Sequence, residues 1–388
     1  MKKLFFLFLF TAVAIFSIAQ TTDTAKICRI GIFVNLFLDS SFSETKYKYD
    51  NQMPRHILPG LDFVEGAMMA FDSIKNGNRF QVFVYDLRSV SQNITELKNQ
   101  NSFDSLDLMI GAVAGMEYKQ LSDIAFQKNI PFVSATYPND GGVINNPYTI
   151  VVNSTLPVHC EAIYNFVLRN YATANILYLR KKGVQEDRLA MYFESFNKTT
   201  NGGRLLNWKM LAVSDSVPAS FFAQSLDSDR VNVIIAGSLD ENFGAQVLNN
   251  AYRYNKKYQL QMIGMPTWET LKDISKPEWK DFSIYYSTPF YNNNSVKWTN
   301  FTKTFSDKTF GRASDLAFRG FDLSYSFSQL LLKHGNQLIK NLNDKSFRWF
   351  LDYDFKPVYS KTTGKPDYFE NKRIYILKRT NGLVSRMN

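Results

Sequence analysis

The sequence predicts an α/β fold of two doubly wound lobes, each built on a parallel sheet. Three observations carry this. From Arg29 onward, short β-rich runs alternate with amphipathic helical stretches, the order that places helices on both faces of a parallel sheet. The run from Arg29 to Leu38 is almost continuously apolar, as in a strand covered on both sides. The alternation occurs in two units of similar size, followed by a helical block and a β-rich tail.

The first unit opens with that strand and continues with a helix from Gly60 to Lys75. There Val64, Ala67, Met68, Phe71 and Ile74 recur on one face. Strands follow at Gln81 to Tyr85, Leu106 to Ile110 and Pro131 to Ala135, separated by helices around 91–99 and 117–128. After Val151 and Val152 the second unit reads helix Pro157 to Asn170, strand Asn175 to Leu179, helix Asp187 to Phe196 and strand Lys209 to Val213. Helix Ala219 to Leu226, strand Val231 to Ala236, helix Glu241 to Tyr254 and strands Gln261 to Gly264 and Ser283 to Ser287 complete it. Past Pro289 come helices Val296 to Phe305 and Asp315 to Lys333, then the tail with strand Arg373 to Lys378. A helical block in that position crosses back onto the first lobe, which gives several interlobe connections and a hinge. The expected division is 26–153 plus about 290–342 for the first lobe, and 154–289 plus 343–388 for the second. The long polar loop from Asp39 to Leu58 is either a lid over a site or a disordered insertion.

With 388 residues, 45% hydrophobic and 21% charged, the composition excludes a disordered chain and a polytopic membrane protein. Lys2 and Lys3 precede an apolar run from Leu4 to Ile18, and the small residues Ser17 and Ala19 flank a cleavage position. Residues 1–19 therefore read as an export signal cut near Ala19, which makes the mature protein periplasmic and not membrane-spanning. Cys28 does not fit a lipid acceptor, because Lys26 and Ile27 precede it. The net charge of +10 is scattered rather than gathered into a stripe, which argues against nucleic acid as a partner. Cys28 and Cys160 pair only if the fold brings them together, which spacing alone leaves open.

An enzyme finds little support. His56, His159 and His334 are isolated, no zinc-ligand spacing or Gly-x-Ser-x-Gly elbow occurs, and Asp352 with Asp354 reads as a solvated edge. No metal or cofactor is expected. The candidate ligand-binding residues lie at strand ends, where open parallel sheets bind. In the first unit the turn from Ile110 to Gly115 feeds a helix, so Ala114, Gly115 and Met116 form a candidate anion cradle. The next strand ends in Ser134, Ala135, Thr136 and Tyr137, with two hydroxyls and a ring at the same crevice. The second unit offers Ser238, Thr267 and Trp268, the last as a stacking surface.

Several stretches carry a family resemblance. They are Pro59 to Asp72, Ile110-Gly111-Ala112, Ile130 to Thr136, and Phe310-Gly311 followed by Ala317 to Asp322. In this order, and over nearly the whole mature chain, the sequence resembles the type I periplasmic binding proteins, particularly the branched-chain amino-acid receptors. The resemblance implies a ligand held between two lobes that close on a multi-strand hinge. It maps the ligand carboxylate to the Ala114 to Met116 turn, Ser134 and Thr136. The implied function is an extracytoplasmic solute-binding receptor for a small polar ligand, an amino acid, peptide or cell-wall fragment, that serves a membrane permease or a sensor. Two features depart from the family pattern: the turn lacks the usual serine, and the acidic anchor of the second lobe is replaced by Gly264 to Trp268, whose first following carboxylate is Glu269. The helix Phe63-Val64-Glu65-Gly66-Ala67 and strand Val84-Tyr85-Asp86 are also similar to the receptor-like domain found beside peptidoglycan-binding LysM modules in bacterial envelope proteins. That similarity implies the alternative of a non-catalytic envelope scaffold with a vestigial cleft and an envelope protein as partner.

Overall fold

The computed structural model describes residues 27–50, 52–74, 79–199, 203–214, 217–291 and 295–388; the expected export signal lies outside them. The first lobe begins with β1 (Cys28–Val34), a short helix α1 (Leu38–Ser41) and a small hairpin, β2 (Phe42–Ser43) and β3 (Lys46–Tyr47). It continues through α2 (Leu58–Ser73), β4 (Phe80–Asp86), α3 (Ile94–Asn99), β5 (Leu108–Gly111), α4 (Gly115–Lys128), β6 (Phe132–Ser134) and β7 (Thr149–Val151). The second lobe contains α5 (Leu156–Tyr171), β8 (Asn175–Lys181), α6 (Val184–Phe196), β9 (Trp208–Val213), α7 (Ala219–Ser225), β10 (Asn232–Gly237), α8 (Glu241–Tyr252), β11 (Leu260–Ile263) and β12 (Ser283–Thr288). Helices α9 (Val296–Thr309) and α10 (Asp315–His334) return to the first lobe. Strands β13 (Phe355–Tyr359), β14 (Pro366–Asn371), β15 (Tyr375–Thr380) and β16 (Leu383–Arg386) follow.

Two seven-stranded sheets result. The first has the order β13-β14-β7-β6-β5-β1-β4 and the second β16-β15-β12-β11-β10-β8-β9. Within each, the contiguous βα units pair in parallel, while β13 on β14 and β15 on β12 are antiparallel. The tail corrects the sequence-based division. Residues 343–388 do not all join the second lobe, since β14 pairs with β7 in the first sheet and only β15 and β16 extend the second.

Strand alternation fixes how the layers form. Ile30, Ile32 and Val34 of β1 pack with α2, α9 and α10 on one face, while Phe33 packs with Leu97, Tyr118 and Leu121 on the other. Helix α10 lies on α2 at backbone contact distance. A Cβ at Gly66 would sit 1.9 Å from the carbonyl oxygen of Ala317, and one at Gly320 would sit 2.0 Å from that of Phe63. Residues after β1 form an ordered element rather than a bare insertion. The Asp86 carboxylate accepts the N–H groups of Leu36 (2.9 Å) and Leu38 (2.8 Å), and Asp39 accepts that of Val90 (2.7 Å). Cys28 and Cys160 are buried in the cores of different lobes.

The chain passes between lobes at three places: β7 to α5, β12 to α9 and β14 to β15. A buried polar knot ties two of them. Ser154 Oγ donates to the Asn371 carbonyl (2.6 Å), Asn371 Nδ2 donates to the Val152 carbonyl (3.3 Å), and Glu370 accepts the Thr155 N–H (2.7 Å). Asn371 Oδ1 also accepts from the Arg373 and Asp354 N–H groups. One side chain thus ties the segment that follows β7 to the one that follows β14.

His159 on α5 sits beside this knot, with Nδ1 2.9 Å from Ser287 Oγ. Burial lowers its pKa to about 3 against an ordinary 6.5, partly offset by a hydrogen bond to the Ser154 backbone. Between those values the unfolded chain binds a proton that the folded chain does not, so stability is fully present above pH 6.5 and falls as pH drops toward 3. The expected slope is about 1.4 kcal/mol per pH unit. Thermal melts from pH 7 to 4.5 should lose much of their acid sensitivity in His159→Gln; equal slopes would show that another group sets it.

Candidate functional site

The predicted first-lobe residues occupy the C-terminal ends of β5 and β6. Ala114, Gly115 and Met116 are exposed. Gly115 starts α4 with φ of +59° and open space where a Cβ would be, a conformation that favours glycine. No side chain caps this helix start, which leaves its first N–H groups facing outward. Glu117 in the first turn pairs with Arg88 (3.0 Å) and accepts from Asn35 Nδ2 (3.3 Å). Thr136 and Tyr137 are half-buried; the Thr136 carbonyl accepts from Asn153 Nδ2 (2.7 Å), and the Tyr137 ring lies 4.9 Å from that of Tyr118. Ser134 and Ala135 are buried, and the Ser134 hydroxyl has no hydrogen-bond partner.

The second-lobe candidates divide differently. Ser238 is buried; its hydroxyl donates to Glu186 Oε1 (2.7 Å) and accepts the Asp240 N–H (3.1 Å), so it holds the turn after β10. Thr267 is half-buried with its hydroxyl unpartnered. Trp268 is not a stacking surface. It is 0% exposed, with its indole in the space that Gly264 and Gly244 leave open. A Cβ at Gly264 would lie 1.8 Å from the ring, so the two glycines make the pocket for this side chain.

The sequence reading expected a ligand between the lobes but missed most of the residues that line the crevice there, which opens beside the hinge with a volume of about 440 Å³. Glu269, directly after the buried Trp268, and Tyr286 of β12 line it from the second lobe; Trp298, Asp315, Phe318 and Arg319 line it from the first. Glu269 is open to the crevice, yet protein walls surround it. Their desolvation raises its carboxyl pKa to about 7; the Thr288 hydroxyl lowers it, Asp315 raises it and Arg319 lowers it. Burial also works against the charge of Arg319, and the carboxylates of Asp315 and Glu269 oppose that effect. The Arg319 guanidinium rests 3.5 Å from the centroid of Phe290, in the segment that crosses from β12 to α9. Glu269 was visible in the sequence as the first carboxylate after the strand end. Arg319 and Asp315 were not, because they reach the crevice only through the return of α10 from a distant part of the chain.

No protein-family model and no curated protein matches the sequence. Solved structures do. The chain is similar to a branched-chain amino acid ABC transporter periplasmic ligand-binding protein from Burkholderia xenovorans, with 12% identity, TM-score 0.62 and coverage of 93% of this chain and 94% of that one. An ABC transporter substrate-binding protein from Desulfitobacterium hafniense in complex with Leu matches with 12% identity, TM-score 0.55 and coverage of 93% and 99%. A branched-chain amino acid transporter substrate-binding protein from Streptococcus pneumoniae in complex with isoleucine matches with 16% identity, TM-score 0.51 and coverage of 93% and 98%. The chain has the type I periplasmic binding protein fold. In that bilobed fold the three crossings form the hinge, and the crevice opens beside it. Among the described residues no helix is long and apolar enough to cross a membrane.

Proposed function

We propose that the chain is an extracytoplasmic solute-binding receptor that closes its lobes around a small polar ligand and delivers it to a membrane permease or a sensor. In this reading it is exported to the periplasm by residues 1–19 and performs no catalysis. The observation that supports it is a crevice between two hinged lobes, lined from both sides by charged and aromatic side chains. A ligand there gains contacts to both lobes only when they approach, so closed forms are populated by differential contact. Asp315 and Arg319 contribute from the first lobe, and Glu269 and Tyr286 from the second.

Thermal shift and small-angle scattering against amino acids, short peptides and cell-wall fragments test this. A true ligand at a hundredfold excess over Kd should add about 2.7 kcal/mol of stability and compact the protein. A panel that leaves both melting and compaction unchanged overturns the receptor reading. One observation favours the alternative of an envelope scaffold close to the LysM-associated receptor-like domains: Ser134 and Ser238 are buried, so these strand-end hydroxyls are not presented to a solute. Capture of a single stoichiometric envelope protein, with the small-molecule panel silent, would select that alternative.

A further inference from the structure

We propose that the outer face of the first lobe binds a second copy of this chain, with the Phe310 ring of each copy seated in an apolar pocket of the other. Phe310 closes α9 and is 95% exposed, more than any other large hydrophobic residue among the described residues. Its backbone lies in the left-handed region at φ of +55°, and its N–H donates to the Ser306 carbonyl (2.9 Å). Glycine or asparagine ordinarily closes a helix in this way, since a bulky side chain is strained there. The position thus holds an aromatic ring in solvent under strain that nothing in a single copy offsets.

A receiving pocket lies along the same helix. It has a volume of about 310 Å³ between α9 and α2, with Met69, Phe301 and Phe321 as its apolar floor and Trp349 as a wall. An apolar cavity of about 150 Å³ already holds benzene, so a phenyl ring fits here. Lys297, which also lines the pocket, places its ammonium 4.5 Å from the centroid of Trp349, and an entering ring would meet the same charge through its face. The exposed Phe310 does not fill the pocket of its own copy.

Charge complementarity selects a second copy and sets its register. Asn300, Lys303, Asp307 and Phe310 follow one another at helical spacing along one exposed stripe. A second α9 laid antiparallel about a two-fold axis at Phe305 sets Lys303 opposite the partner's Asp307 and Asp307 opposite the partner's Lys303. The same register sets Phe310 opposite the partner's Asn300, which lines the pocket. A parallel arrangement would set like charges against each other. Within one copy Lys303 and Asp307 pair at 3.2 Å with side chains 79% and 64% exposed, a weak pair that can exchange partners. Two phenyl rings bury roughly 300–500 Å², short of the about 1,000 Å² of a specific interface, so the α9 stripes close against each other as well. The dimer therefore depends on protein concentration.

Sedimentation velocity on the intact protein from about 1 to about 200 μM tests this. The parent should pass from monomer to dimer within that range. Phe310→Asn, whose new side chain suits the left-handed backbone, should raise the midpoint about tenfold or more while melting at or above the parent temperature. Lys303→Asp and Asp307→Lys should each raise it too, by setting like charges opposite, and the double variant should return it to the parent value. A parent that stays monomeric throughout overturns the proposal, as does a dimer that Phe310→Asn leaves intact. A charge series without rescue in the double variant overturns it as well.

Discussion

Trp268→Ala should cost the second lobe about 3–5 kcal/mol, the range for truncating a large buried aromatic side chain. The indole packs among Val247, Leu248, Phe243 and Leu271, in a site whose walls include two glycines with no side chain to collapse into the void. The measurement is urea unfolding followed by circular dichroism, with Trp268→Phe as the milder comparison. A ligand that stabilises the parent protein should still bind the folded fraction of the variant. Stability unchanged within about 1 kcal/mol, together with loss of ligand binding, would return Trp268 to the role of a stacking surface.

Gly320→Ala should destabilise the first lobe by about 3 kcal/mol or more. On an exposed helical position the same change stabilises by about 1 kcal/mol, because alanine is the better helix former. Here the sign is expected to reverse. The added methyl meets the Phe63 carbonyl oxygen at 2.0 Å and its carbon at 2.9 Å, and backbone cannot rotate away as a side chain can. Gly66→Ala, facing Ala317 across the same crossing, should behave alike. Urea midpoints of both variants check this; a midpoint at or above that of the parent would show that α2 and α10 have slack between them.

What the sequence disclosed follows from the range of the interactions involved. The predicted helix from Gly60 to Lys75 is α2, and the predicted strands at Asn175 to Leu179 and Val231 to Ala236 are β8 and β10, since periodicity and apolar runs are local signals. Partner choice is not local. Phe355–Tyr359 and Pro366–Asn371 read only as a β-rich tail, and nothing in their composition says that they join the sheet begun some 300 residues earlier. The strand-end site was half legible for the same reason. The exposed turn at Gly115 is set by its own backbone, whereas the burial of Ser238 depends on Glu186, and that of Trp268 on Gly244, each from another element. The charged crevice needed α10 to be folded back before its residues could be seen together.

The weaving of the tail has a consequence for the order in which the protein is made. During synthesis, domains generally fold as they emerge, beginning with the amino-terminal one. That schedule cannot apply in full here. While residues 366–371 remain in the ribosome, β7 is an open edge of the first sheet, and while 375–380 remain there, β12 is an open edge of the second. The nascent chain therefore carries two nearly finished parallel sheets, each with an unprotected flank able to pair with another chain. The same short stretch seals both. A message cut short upstream of residue 366 would therefore yield two adhesive half-products rather than one sound lobe and one broken one.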